Sequence, residues 1–289
     1  MLRSMYSGIS GLKNFQTKLD VVGNNIANVN TFGYKKGRVT FKDLVNQSVG
    51  SASGAGGGVG GTTPKQVGLG ASMSTVDNVY NQGALQNTGR TLDVGISGEG
   101  FYQVMTAEGV RYSRSGNFYT DLDGNIVTGD GNYVVGTGTA AVPTGPVPNN
   151  LPNGSVPPAA PTPGYQKLKI PTDARNLSIG KDGLVTYVNN TGALTTVGYI
   201  TLANFPNPGG LEKSGVNLFA SSQNSGAAAT GTPSTNGLGQ LTSGTLEMSN
   251  VDLSEEFTEM IIAQRGFQAN TRIITTSDQV LEELVNLKR

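Results

Sequence analysis

Apolar residues return along the first thirty positions at helical intervals. Leu2, Met5, Ile9, Leu12, Phe15, Leu19, Val22, Ile26 and Val29 are separated by three or four residues at every step. That spacing places them on one stripe of an amphipathic helix, close to a coiled-coil seam. Gly8, Gly11 and Gly23 interrupt the helix, and each lowers helix propensity by about 1 kcal/mol relative to Ala. Such a helix is expected to order only when its apolar face is covered. A similar pattern returns at the far end of the chain. Over 249–289, Leu253, Phe257, Met260, Phe267, Ile274, Leu281 and Leu284 recur at steps of three, four or seven, predicting a second long amphipathic helix. Asn250 or Asp252 is placed to cap its start. Glu255 and Glu256 put acid in its first turn, and Lys288 and Arg289 put base in its last, each with the sign that the helix dipole favours. Two apolar stripes at opposite ends of one chain imply that the termini meet. Gln264, Thr271 and Asp278 are polar positions along the second stripe. They read equally as register-setting contacts or as side chains open to water.

Between the helical patterns the period drops to two. Thr91–Ser97, Gly100–Thr106, Val110–Gly116, Asn117–Asp121, Asn125–Gly129 and Asn132–Gly136 read as short strands separated by Gly-rich turns. Asp123-Gly124 and Asp130-Gly131 are hairpin signals, because type I′ turns need positive φ. Strand patterns resume at 167–171, 177–188 and 196–205. Residues 31–75 read as a connection: 31–44 has room for a short hairpin, 50–61 is a low-complexity Gly run, and 66–80 is extended. Residues 137–164 hold eight of the thirteen prolines and no periodicity, so an irregular loop is expected there. The fold class is therefore α+β, with the terminal helices paired as a coiled-coil-like rod domain around a central antiparallel β domain. The boundaries are 1–30 for the first helix, 31–75 for the linker, 76–246 for the β domain with its loop at 137–164, and 247–289 for the second helix.

Composition narrows the chemistry. The 42 glycines, the absence of Trp and the 36% hydrophobic content fit a turn-rich β protein rather than a large enzyme core. Formal net charge is zero, so no general attraction to nucleic acid or anionic membrane is expected. The charge is unevenly placed: residues 1–45 carry seven bases against two acids, and 250–289 carry seven acids against four bases. Opposite signs favour association of the two ends, within or between chains. The chain has no Cys and no His, which removes thiol chemistry and the commonest general base and metal ligand. No run of apolar residues approaches a membrane span, and the N-terminus lacks a secretory pattern.

The remaining motifs favour plain readings. The Gly run at 54–61 leads into Thr62-Thr63-Pro64 without the Lys of a phosphate loop, so it reads as a flexible linker. Asp121, Asp123 and Asn125 imitate the start of a calcium loop, but Ile126 and Asn132 stand where Gly and Glu are needed. Glu255 and Glu256 are adjacent, so on a helix they point in different directions and make a poor acid–base pair. The first helix lacks the Trp and the dense basic face of a helix that lies on a membrane. No catalytic, cofactor or metal-binding residue is assigned, and the chain reads as a non-enzyme.

Three segments resemble a known family, the axial proteins of the bacterial flagellum. They are Leu19–Lys36 (LDVVGNNIANVNTFGYKK), Gly95–Val104 (GISGEGFYQV) with the strands after it, and Ser249–Arg289. Within the family the opening 1–44 and the ending NLKR are most similar to hook proteins of Gram-positive bacteria. The segment Val197–Phe219 is also similar to the distal rod protein, the alternative. The resemblance implies a subunit exported without a cleaved signal and polymerised into a hollow helical tube, with terminal helices inside and β domain outside. As a hook, the tube is a flexible joint that carries torque to the filament. The implied partners are identical subunits, the distal rod, hook cap and hook–filament junction proteins, and the flagellar export apparatus. Nucleic acid and membrane insertion are not implied. The assembly interface is expected along the two stripes: Leu2, Met5, Ile9, Leu12, Phe15, Leu19, Val22, Ile26 and Val29 on the first helix, and Leu253, Phe257, Met260, Gln264, Phe267, Ile274, Leu281 and Leu284 on the second. A tube whose domains shift through Gly-rich linkers is expected to change bending stiffness when residues 50–61 are deleted. Flexural measurement on isolated tubes checks this, and unchanged stiffness refutes it.

Overall fold

A computed structural model describes residues 2–54, 60–138 and 165–287, without the side chains of Leu2 and Arg3. Most of the Pro-rich segment expected as a loop, the centre of the Gly run, and Lys288 and Arg289 lie outside the described residues. The chain divides into two compact units, one of residues 1–27, 37–79 and 252–289, the other of residues 28–36 and 80–251.

The first unit holds both helices. Helix α1 spans Leu2–Ala27 and α2 spans Leu253–Asn286, about 39 and 51 Å at 1.5 Å per residue. Asp252 is the N-cap of α2: its carboxylate accepts from the backbone N–H of Ser254 (2.8 Å) and Glu255 (3.4 Å), satisfying donors that the first turn leaves orphaned. Of the two caps offered by the sequence, Asp252 is therefore the one used. The helices pack antiparallel. Phe15 faces Gly266, Gly11 faces Asn270, and Gly8 faces Ile274. The same unit carries a two-stranded ribbon, Gly37–Asp43 against Ala71–Asn78, with a bulge at Thr40/Phe41, and a smaller one, Gln47–Gly50 against Lys65–Val67. The stretch expected as linker thus contains strands. Its first strand pairs with a partner some thirty residues on, not with a local hairpin partner, and the pair is extended by Leu44 N–H donating to Gly70 O (2.9 Å).

The second unit is antiparallel β. Among the described residues its main sheet has thirteen strands, with Phe101–Thr106 at the centre, bonded to Gly109–Ser113, Tyr133–Thr137 and Leu202–Asn204. Alternation along the central strand sends Tyr102 and Phe101 to opposite faces. Tyr102 joins Ile96, Phe118, Val134, Ile200 and Leu202 in one apolar cluster. Phe101 joins Tyr112, Phe205 and Phe219 in the other, where rings meet edge to face at 4.7–6.1 Å. Tyr102 is fully buried, and its hydroxyl donates to Val94 O at 2.6 Å. Hairpins form at both Asp-Gly pairs, but not through the expected type I′ turns. Only the glycines have positive φ, +84° at Gly124 and +80° at Gly131. Each closes a β-turn with its own N–H, Gly124 to Asp121 O (2.9 Å) and Gly131 to Thr128 O (3.0 Å). At Gly124 a Cβ would stand 1.8 Å from Ile170 O, so both conformation and space demand glycine. A hairpin the sequence pattern did not reveal, Glu212–Gly215 with Leu218–Ala220, extends the sheet from Gly109–Ser113.

Leu202 has no exposed surface and sits where the central strand meets its neighbour. Leu202→Ala is expected to cost about 2–5 kcal/mol through lost burial and a residual cavity, read by denaturant unfolding of the full chain.

Candidate functional site: the helix face and the motif junction

The expected interface residues occupy several surroundings. On α1, Val22 is buried, Met5, Leu12, Phe15, Leu19 and Ile26 are half-buried, and Ile9 is exposed. Leu2 lies in α1, its side chain outside the described residues. Val29 is half-buried but falls beyond the helix, which stops at Ala27, and belongs to the β unit. On α2, Met260, Phe267, Ile274 and Leu281 are half-buried. Leu253, Phe257 and Leu284 are 40%, 49% and 48% exposed, and Gln264 is exposed with Thr271 and Asp278. The covered line on α2 instead runs Glu256, Met260, Ala263, Phe267, Asn270, Ile274, Ser277, Leu281, alternating steps of four and three. Met260, Phe267, Ile274 and Leu281 of the expected stripe lie on this line; the other half of the line is small or polar, and a search for large apolar residues passes over it.

Close approach explains that choice. Ala263 is fully buried, and a Cβ on Gly266 would lie 2.5 Å from the Phe15 ring. At the top of the pair, Asn25 joins three elements. Its amide N–H donates to Gly37 O (2.9 Å) and Glu256 Oε2 (3.1 Å), and its Oδ1 accepts from Gly37 N–H (2.9 Å). Glu256, read from sequence as an acid in the first turn with the sign the helix dipole favours, is only 5% exposed. Lys18 also pairs with Glu259 on the partly exposed side, an interaction that solvent keeps weak. Ribbon residues Phe41, Met73 and Val76 and helix residues Ile262, Ile273 and Val280 are exposed large apolar groups. A monomer leaves such surface uncovered at a cost.

In the β unit, three remote segments converge on Glu247. Its side chain has no exposed surface. Oε1 accepts from Lys35 Nζ (2.7 Å) and Gly83 N–H (2.9 Å), and Oε2 accepts from Arg114 Nε (2.5 Å). Lys35, 2% exposed, also donates to Asn81 O at 2.8 Å. Arg114, 5% exposed, donates to the carbonyls of Gly98 and Gly100. Burial disfavours the ammonium of Lys35 and, with Arg114 beside it, holds its pKa below the ordinary value despite Glu247. Burial alone would raise Glu247, but Arg114 and Lys35 together outweigh it and hold the carboxyl low. Burial raises the Tyr102 hydroxyl nearby, so it stays neutral.

The segment 28–36 that brings Lys35 is held along its length. Gly33 N–H donates to Glu247 O (2.8 Å), Lys36 N–H to Asn250 Oδ1 (2.8 Å), and Asn217 Nδ2 to Phe32 O (3.1 Å). Lys213 donates to Lys35 O (3.0 Å) and lies over the Tyr34 ring. Gly33 has φ +69°, and a Cβ there would meet Ser115 N at 2.6 Å. Sequence reading missed this junction. Its only signal was that Lys35, Arg114 and Glu247 lie in or beside the three segments that carry the family resemblance. A polar cleft of about 500 Å³ adjoins the segment. Two of its hydroxyls are hydrogen-bonded: Ser113 Oγ donates to Asn217 O (3.1 Å), far along the chain, and Ser115 Oγ to nearby Asn117 Oδ1.

Those segments coincide with family matches. Residues 5–35 match the family described as flagella basal body rod protein, 95–187 the flagellar hook protein FlgE/F/G D1 domain, and 242–287 the flagellar basal body rod FlgEFG protein C-terminal. The chain is 53% identical over 290 residues to the flagellar basal-body rod protein FlgG of Bacillus subtilis, covering 100% of both. It is 36% identical over 283 residues to FlgG of Agrobacterium fabrum, covering 96% of this chain and 97% of the other. It is 32% identical over 441 residues to the flagellar hook protein FlgE of Borreliella burgdorferi, covering 100% of each. The chain belongs to the rod and hook family of bacterial flagellar axial proteins, a structural component of the flagellum.

Asn25→Ala removes partners from Glu256 and from both backbone groups of Gly37. The expected loss is about 1–3 kcal/mol from the helical unit, read as earlier thermal loss of helical circular dichroism.

Proposed function

We propose that this chain is a non-enzymatic subunit of the flagellar rod, of the distal-rod kind, which polymerises with identical copies into a hollow helical shaft. The observation that carries this is the end-to-end match to the Bacillus rod protein, 290 aligned positions for a chain of 289 residues. The Borreliella hook protein aligns only over 441 positions and at lower identity, so long gaps are needed. The comparisons therefore favour the rod over the hook, which sequence resemblance had put first. The hook cap and junction proteins drop out as neighbours, leaving other rod and hook-type subunits along the axis and the export apparatus as partners. Absence of His and Cys from the sequence supports a structural over an enzymatic role.

The two helices are proposed as the assembly element. The support is physical: the helical unit exposes Leu253, Phe257, Ile262, Ile273, Val280 and Leu284 after α1 and α2 have packed. A heterologous contact that does not close on itself covers such surface by building a filament. Coiled-coil pairing belongs to this proposal.

Electron micrographs of the native assembly, with antibody against this chain, separate the readings. Label on a straight segment below the hook supports the rod, and label along the curved hook overturns it. Ile26→Asp or Phe267→Asp places a charge in half-buried apolar surroundings, at a cost of several kcal/mol. Either is expected to abolish seeded polymerisation while the β unit keeps its unfolding midpoint. Normal polymers from both variants would refute the helical interface.

A further inference from the structure

We propose that residues 28–36 form a releasable strap on the β unit, fastened by the Lys35–Glu247–Arg114 cluster and freed by neutralising Glu247 while the β core stays folded. The chain enters this segment from α1 and leaves it into the strand Gly37–Asp43, both in the helical unit. The strap itself, residues 28–36, belongs to the β unit, while the chain before and after it belongs to the helical unit.

The fastening is polar. No strap residue belongs to either apolar cluster of the β unit. The strap is held by backbone and amide hydrogen bonds and by Lys35 at the buried carboxylate. A segment attached in this way opens as its own cooperative unit, below the free energy of global unfolding. The cluster holds two cations and one carboxylate. Take the charge from Glu247 and Lys35 faces Arg114 without compensation, in a site that excludes water. Arg114 is also anchored to the carbonyls of Gly98 and Gly100. Lys35 stands on the strap, so water is reached by lifting the strap rather than by breaking the sheet.

The pH dependence has a definite sign. The groups facing Glu247 are Lys35, Arg114 and the neutral Tyr102. Glu247 is held below 4.5 in the closed form. Its contribution to closure is fully present above the ordinary carboxylate value and is lost as pH falls through the lowered one. Lys35, held below 10.5, favours closure more as pH rises toward that value. Acid opening therefore runs through Glu247.

Hydrogen exchange on the full chain, expressed as protection factors, tests the strap. In Glu247→Gln at pH 7, Gly33 and Lys36 amides are expected to lose about 10- to 100-fold of protection, while Phe101–Thr106 keeps its own. Lys35→Met is expected to loosen the same amides without leaving an unpaired buried charge, so it carries the test if Glu247→Gln fails to fold. Between pH 7 and pH 4 the wild-type strap is expected to lose up to about fourfold, from linkage to one carboxyl, and Glu247→Gln to stay flat. Strap and core losing protection together in Lys35→Met, or a strap indifferent to both substitutions, would overturn the proposal.

Discussion

A carboxylate cannot sit charged in a protein interior unless opposite charge and hydrogen-bond donors are brought to it. Glu247 meets that demand with Lys35, Arg114 and the Gly83 N–H, groups drawn from three distant parts of the chain. The consequence is topological. The segment after α1, the glycine-rich stretch at 96–100 and the strand before α2 must all be in place together, since omission of any one leaves an uncompensated buried charge or unpaired carbonyls. The three stretches that stand out in the sequence are those the cluster ties together.

The helical unit obeys a different constraint, backbone proximity. Gly11 and Gly266 are small because Asn270 and the Phe15 ring stand against them, and Ala263 is fully buried. Asn25 and Glu256 close the end of the pair through hydrogen bonds rather than apolar contact. Ile262 and Val280 are left exposed beside that contact. Those exposed residues are the surface proposed above for contact between copies. Membership of the rod and hook family gives that surface a context.

The sequence by itself determined the helix–β–helix layout, because periods of 3.6 and 2 are written in residue identity and survive without tertiary information. It determined the DG hairpins, whose glycines supply a positive φ that other residues resist, and the family, through three ordered motifs. It did not determine which side of α2 faces α1. That side alternates large apolar residues (Met260, Phe267, Ile274, Leu281) with Glu256, Ala263, Asn270 and Ser277, and only a packed partner reveals why the second set is covered. Nor did it disclose that 37–43 pairs with 71–78, or that Lys35, Arg114 and Glu247 meet. Pairing between residues tens to hundreds of positions apart leaves no periodic trace, and a buried ion cluster reads, letter by letter, like ordinary surface charge. Those choices were made by tertiary structure, where burial sets the cost of each charge and proximity sets the size of each side chain.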